Sequence, residues 1–155
     1  MGIEIERKFL LASDAWRAQV ERSVDMRQGY LIGSDRASVR LRVAGDKAWL
    51  NIKGATLGIE RREYELEMPP KDAAEILDHL CMRPLIEKRR HYVRVGDHLW
   101  EIDEFSGENA GLIVAEIELA RADEDFDRPE WLGEEVSDDP RYYNVSLAQH
   151  PYRDW

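Results

Sequence analysis

Only one cysteine, Cys81, occurs in the 155 residues, so no intrachain disulfide forms and no thiolate cluster can hold a metal. The four histidines, His79, His91, His98 and His150, lack metal-ligand spacing and read as surface or packing residues. No apolar run approaches the length needed to cross a bilayer, and Met1 leads into a charged stretch rather than a leader peptide. The expectation is a cytoplasmic protein with no membrane partner. Basic residues are in deficit: 22 Lys and Arg face 32 Asp and Glu, for a formal net charge of -10. Nucleic-acid backbones are held by clustered cations with release of counterions, so this balance argues against a nucleic-acid partner while leaving room for a local basic site. No serine sits in a nucleophile motif, and no repeat, low-complexity tract or linker divides the chain. Residues 1–155 are therefore expected to form one domain, long enough to bury a core.

Charge is what the chain has in excess, at 35% of residues against about a quarter in ordinary globular proteins. It is laid out with the period of two that a strand imposes. In Ile3-Glu4-Ile5-Glu6-Arg7-Lys8-Phe9-Leu10, Ile3, Ile5 and Phe9 fall on one face, and Glu4, Glu6 and Lys8 on the other. Strand patterns return at 25–32, 38–44, 47–53, 60–68, 85–95, 98–105 and 112–119, with tight turns at Gly45-Asp46 and Gly96-Asp97 and a loop at 54–58. Trp49 shares a face with Lys53, and in 85–95 alternation alone leaves the inward face open. Ser13 or Asp14 is placed to cap a short helix reaching about Arg22. Pro69-Pro70 opens a helix whose Ala73, Ile76, Leu77 and Leu80 form one buried stripe, with Cys81 in the core at its end. Residues 129–132 read as a helical turn ended by Gly133, and Ser137 to Pro140 as the cap of a C-terminal helix over 141–149.

Eight strands in a small chain tend to close, because a barrel removes exposed edges. The predicted fold is α+β: an eight-stranded antiparallel closed β-barrel with helices packed outside and a C-terminal helix. Its charged faces then meet across a narrow lumen. Glu4, Glu6, Glu63, Glu65, Glu101, Asp103, Glu116 and Glu118 supply acids, and Lys8, Arg40, Arg42, Lys53, Arg61, Lys88 and Arg90 supply bases. Burying so many ions costs free energy unless they are paired or bind something. Converging Arg and Lys suit a polyanion, Arg through bidentate contacts to phosphate. The acids repel that polyanion unless a hard divalent cation, Mg2+ or Mn2+, lies between them and the phosphate oxygens. In Glu4/Glu6 and Glu116/Glu118 the i, i+2 spacing puts Cα atoms roughly 7 Å apart on one face, a gap glutamates span to a shared ion. The pattern describes a metal-bridged polyphosphate site.

Glu4-Ile5-Glu6-Arg7-Lys8 resembles the ExExK signature of the CYTH superfamily, the triphosphate tunnel metalloenzymes. The resemblance continues in order through Arg27-Gln28-Gly29-Tyr30-Leu31, Arg40-Leu41-Arg42, Lys53, Arg61-Arg62-Glu63-Tyr64-Glu65, Glu87-Lys88, Arg90, Glu101-Ile102-Asp103, Glu116-Ile117-Glu118 and Trp131-Leu132-Gly133-Glu134-Glu135-Val136. It implies an eight-stranded antiparallel tunnel, dependence on a divalent metal and a small-molecule substrate carrying a linear triphosphate. The compact length and the tail Arg141-Tyr142-Tyr143-Asn144 are most similar to short bacterial members that hydrolyse inorganic triphosphate to pyrophosphate and phosphate. Carried over by residue, the resemblance implies metal binding by Glu4, Glu6, Asp103, Glu116 and Glu118, with Glu65 and Glu101 in support. Phosphate binding falls to Lys8, Arg40, Arg42, Lys53, Arg61 and Arg90. Attack by water needs a proton acceptor, and either Lys88, with a pKa depressed by neighbouring cations, or Glu63 fits that part. A class IV adenylate cyclase or a thiamine triphosphatase is an alternative on the same fold. A non-catalytic module binding polyphosphate or nucleotide is a third, which the paired acids argue against.

Overall fold

The computed structural model describes residues 2–55 and 58–155. Met1 and, within the loop expected at 54–58, Thr56 and Leu57 lie outside the described residues. Among the described residues nine strands run β1 (Ile3–Leu11), β2 (Val20–Gly33), β3 (Ala37–Ala44), β4 (Lys47–Gly54), β5 (Glu60–Met68), β6 (Ile86–Val95), β7 (His98–Phe105), β8 (Ile113–Glu118) and β9 (Leu132–Glu135). The α-helices are α1 (Pro70–His79) and α2 (Asn144–Gln149). Every strand pairing is antiparallel, in the order β5-β4-β3-β2-β6-β7-β8-β1-β9, and β5 returns to β1 through Ile3↔Arg62, Glu4↔Arg61 and Ile5↔Glu60. β1 therefore closes an eight-stranded barrel by its first half and carries β9 on its second. Among the described residues no helix is long and apolar enough to cross a membrane.

Local chemistry explains the joints. Gly45 and Gly96 have φ of 62° and 61°, which a type II′ hairpin demands of its first central residue and which glycine adopts without steric cost. Ala44↔Lys47 and Val95↔His98 then pair directly across the two turns. Pro70 occupies the first turn of α1, where its missing N–H breaks no helical bond, and Ala73 and Leu77 pack with Leu41, Ala48 and Cys81 on the outside of the barrel. α2 packs differently. Tyr30, Ile86, Phe105 and Val114, all on lumen-facing positions, meet Leu147 and Ala148, so this helix plugs one end of the barrel with apolar side chains. A third cluster, Phe9, Trp16, Trp100 and Trp131, fills the outer face of β1, β6 and β7.

Four local expectations change. The helix predicted up to Arg22 is a 3-10 turn, Ala15–Gln19, and β2 begins at Val20. The ladder offered by β6, through Val20↔Val93 and Arg22↔Tyr92, outweighs the weak helical pattern, and the fully buried Trp16 ring, 5.1 Å from His91, anchors the turn. Leu80 leaves the stripe of α1 and is exposed, because the helix ends at His79 and Cys81 takes the core position. The turn at 129–132 is a single bond from Leu132 N to Pro129 O that leads into β9 instead of a helix. The C-terminal helix is split: a 3-10 turn at Pro140–Tyr142, an extended Tyr143 (φ -72°, ψ 139°), then α2. Within the expected cap, Asp139 caps the 3-10 turn by accepting from Arg141 N, and Ser137 accepts from Lys8 N.

Gly133 lets β9 lie against β1. A Cβ there would stand 2.8 Å from Leu10 O, and a backbone oxygen held in a ladder cannot give way as a side chain does. Gly133→Ala is expected to cost about 1–3 kcal/mol, read as a lower urea midpoint. Wild-type stability in that variant would contradict this packing.

Candidate active site

A cavity of about 830 Å³ occupies the barrel interior. Register builds its walls, because residues paired across strands share a face. One row runs Tyr30–Arg40–Asn51–Glu65 and another Ser38–Lys53–Glu63. Lys8, Glu116 and Glu101 form a third. Glu4, Glu6, Arg42, Arg61, Arg90 and Glu118 complete the charged lining. Every residue expected at the site lines this cavity except Lys88 and Asp103. Trp49 lies opposite Arg42, whose guanidinium carbon is 5.1 Å from the indole centroid.

The charges are sorted into three groups. Glu6, Glu101 and Glu116 bring carboxylate oxygens within 4.8 Å of one another. Glu4 and Glu63 flank Lys53, whose Nζ is 3.3 Å from Glu4 and 3.2 Å from Glu63, while Arg61 lies 3.9 Å from Glu4 and Arg42 3.5 Å from Glu65. Behind the cavity, Asp103 is fully buried and accepts from Lys88 Nζ at 2.7 Å and from Arg90 at 2.8 and 2.9 Å. Arg90 links this group to the cavity through Glu101, 3.2 Å away.

This sorting places the acids implied as metal ligands by the resemblance in different surroundings. Asp103 has its acceptors filled by two cations, and Glu101, expected in a supporting part, joins Glu6 and Glu116. Glu4 turns to Lys53 and Arg61, and Glu118 stands among Glu4, Glu63 and Glu65, whose charges, after burial, push its carboxyl up. The physical reason is register: Glu101 and Glu116 are direct cross-strand partners, about 5 Å apart, whereas i, i+2 neighbours stand farther apart along a strand. Alternation in one segment cannot display that.

The Glu6, Glu101 and Glu116 set fits a hard divalent cation. Burial, then the charges of Glu116 and Glu4, push the Glu6 carboxyl well above its usual range, and it hydrogen-bonds to Glu116. Glu116, although burial opposes it, is held well below that range by Lys8, by this hydrogen bond and by Arg90. One carboxylate oxygen, Glu116 Oε1, is buried with no hydrogen-bond partner. Three carboxylates crowded together in this way would suit a hard divalent cation, whose charge would relieve their mutual repulsion. On the opposite wall, Arg40 Nε and Arg42 Nε are likewise buried and unbonded, as are Asn51 Oδ1 and Glu63 Oε2. Buried donors and acceptors left without a partner beside a cavity are uncommon and call for an explanation such as a bound ligand.

Several lining residues escaped the sequence reading as site residues, among them the polar Tyr30, Ser38, Tyr143 and Asn144. Tyr30 and Ser38 sit on inward strand positions, and alternation marks them once register is known. Tyr143 and Asn144 arrive from the far end of the chain, where no periodicity points into a barrel.

A CYTH domain profile matches residues 2–152. An inorganic triphosphatase of Acetivibrio thermocellus is 46% identical over 155 residues, spanning 100% of this chain and 99% of that protein. The inorganic triphosphatase of Nitrosomonas europaea is 36% identical over 149 residues, 94% of this chain and 96% of that one. A crystal structure of an inorganic triphosphatase superposes with a TM-score of 0.67 at 35% identity, covering 94% of this chain and 97% of the other. A Pyrococcus horikoshii protein, 19% identical with a TM-score of 0.62 over 77% of this chain and 80% of that one, shares the fold.

The buried Lys88–Asp103–Arg90 group makes a stability prediction. Asp103→Asn leaves Lys88 without its buried counter-ion and Arg90 with Glu101 alone, and is expected to cost about 3–5 kcal/mol in urea unfolding at pH 7. Burial alone would raise the Asp103 carboxyl, yet Arg90 and Lys88 bring it down to about 2. Its contribution is thus fully present above the unfolded value near pH ~4 and fades as the pH falls through about 2. The gap between wild type and variant should narrow across that acid range; a constant gap would contradict the assignment.

Proposed function

The chain belongs to the CYTH domain family, and from that premise we propose that it hydrolyses inorganic triphosphate to pyrophosphate and orthophosphate with Mg2+ or Mn2+. The observation that carries this reading is the pairing, inside one closed barrel, of an acidic trio able to hold a cation with a cationic wall in which Arg40 Nε and Arg42 Nε lack partners. The names of the two triphosphatase relatives, each similar over nearly its whole length, support the substrate.

The roles follow from placement. Arg40, Arg42, Lys53 and Arg61 come from β3, β4 and β5 and grip the phosphate chain from one side, with Lys8 and Arg90 facing them from β1 and β6. Guanidinium groups bind two phosphate oxygens at once, so they fix orientation as well as charge. Glu6, Glu101 and Glu116 would hold the cation, which supplies charge neutralisation at the phosphate oxygens and orients them for in-line displacement. The closed wall and the α2 plug keep bulk water from the chain.

The two candidates for the proton acceptor part ways in the structure. Lys88 has its ammonium bonded to Asp103 and its side chain 1% exposed. Burial and the neighbouring Arg90 and Arg40 bring it down to about 8, against the pull of Asp103 and Glu116. It positions Arg90 through Asp103 and does not border the cavity. Glu63 does border it, with Oε2 ion-paired to Lys53 Nζ at 3.2 Å. Glu63 therefore takes the proton of the attacking water, and Lys53 orients its carboxylate.

The test is release of pyrophosphate and orthophosphate in equal amounts from tripolyphosphate, followed by anion-exchange chromatography with Mg2+ or Mn2+. Glu116→Gln is expected to abolish metal-dependent turnover while the protein still melts cooperatively. Glu63→Gln should lower kcat by about 10²-fold or more, whereas Lys88→Met should act chiefly on stability. Normal hydrolysis by Glu116→Gln would sink the metal assignment, and an unchanged kcat in Glu63→Gln would remove Glu63 from its role.

A further inference from the structure

A second cavity, of about 410 Å³, lies beside the charged one at the plugged end. Ser38, Arg61, Tyr143 and Val145 belong to the walls of both. Its remaining described lining is small or neutral, with Ser34, Gly54 and Gln149, and its one acid, Asp35, disfavours a further phosphate. A space of this size and character suits an uncharged hydrogen-bonding group such as a sugar or alcohol.

Tyr143 stands at the junction and is fixed from several sides. Its hydroxyl donates to Ser137 O at 2.9 Å. Lys8 Nζ lies 5.7 Å from the ring centroid and the Arg61 guanidinium carbon 5.5 Å, so two phosphate-gripping cations hold the ring electrostatically. Lys8 also donates to the preceding carbonyl, Tyr142 O, at 3.0 Å. An extended residue between two helical segments, held by its ring, its hydroxyl and its neighbour's carbonyl, has little room to swing away.

We propose that Tyr143 is a specificity-determining residue: its ring ends the charged cavity against a bare terminal phosphoryl group and shuts triphosphates esterified at that end out of the second cavity. The proposal rests on the reading that the charged cavity holds a triphosphate. Discrimination of this kind is built as a clash against the wrong ligand rather than an added attraction for the right one. The ring excludes an organic substituent while leaving the cations Lys8 and Arg61 in reach of the phosphoryl oxygens.

Calorimetric titration in Mg2+ with tripolyphosphate and with diadenosine triphosphate tests this. The second ligand carries a nucleoside at both ends and must press one against Tyr143 whichever way it enters. Wild type is expected to favour tripolyphosphate, and Tyr143→Ala to cut that preference by about tenfold or more. Tyr143→Phe, which keeps the ring, should retain it. If the alanine variant melts early, Tyr143→Leu serves in its place, since it also removes the ring. Adding Ser34→Phe to the alanine variant should refill the second cavity and restore the preference. Equal binding of both ligands by wild type, or an unchanged preference in the variants lacking the ring, overturns the role of Tyr143. Failure of wild type to bind tripolyphosphate at all is a different result, and overturns the triphosphate reading together with this role.

Discussion

The structure depends on opposite charges enclosed together. Glu4, Lys8, Arg40, Lys88, Arg90, Asp103 and Glu116 are all buried, and removing any one ion from water costs several kcal/mol that only a partner or ligand offsets. The barrel meets this cost unevenly. At its back wall the compensation is complete: Asp103 takes donors from Lys88 and Arg90 and needs nothing more. Around the cavity it is incomplete, with Glu6 and Glu116 in conflict and guanidinium donors unbonded. Incomplete compensation is what distinguishes the cavity from a salt-bridged core and underlies the proposed binding site.

Rigidity and capacity are thus separated in space. The satisfied group fixes Arg90, and Arg90 reaches Glu101 at the edge of the acidic trio, so the fully paired charges set the geometry of the free ones. Closure serves the same end. β1 joins β5 by a short three-residue ladder, which seals the interior, where interactions between ions are worth more than in water. At the other end α2 covers the lumen with Leu147 and Ala148. Apolar helix packing, outside through α1 and across the end through α2, supplies the stability that the charged interior does not.

Much of this was legible in the sequence because alternation is a property of each strand alone. Once Glu4, Glu6 and Lys8 lie opposite Ile5 and Phe9, the inward face of β1 is decided, and the same holds for Arg40 and Arg42 or Glu63 and Glu65. The barrel and nearly all the cavity lining follow from these local patterns. Register is different, being a relation between strands. It set Asp103 and Lys88 behind the cavity and brought Glu101 beside Glu6 and Glu116. Tertiary packing also overrode local signals at Trp16, where a buried indole and the β6 ladder replaced a helix by a strand, and at Gly133, a strand residue in close backbone contact that reads in sequence as a helix stop. Tyr143 belongs to the tail that resembles the short bacterial members, but no alternation marks it as cavity lining, since its place there comes from where the end of the chain is folded back.

The central claim is that the acidic trio and the cationic wall bind one ligand jointly, the cation bridging what would otherwise repel. Binding free energies coupled in this way are reciprocal. The most direct measurement is calorimetric titration of tripolyphosphate into the wild-type protein with and without Mn2+, paired with titration of Mn2+ with and without tripolyphosphate. The account predicts that each ligand tightens the other by the same factor, about tenfold or more. Independent binding, with tripolyphosphate held equally well in a chelator, would contradict it.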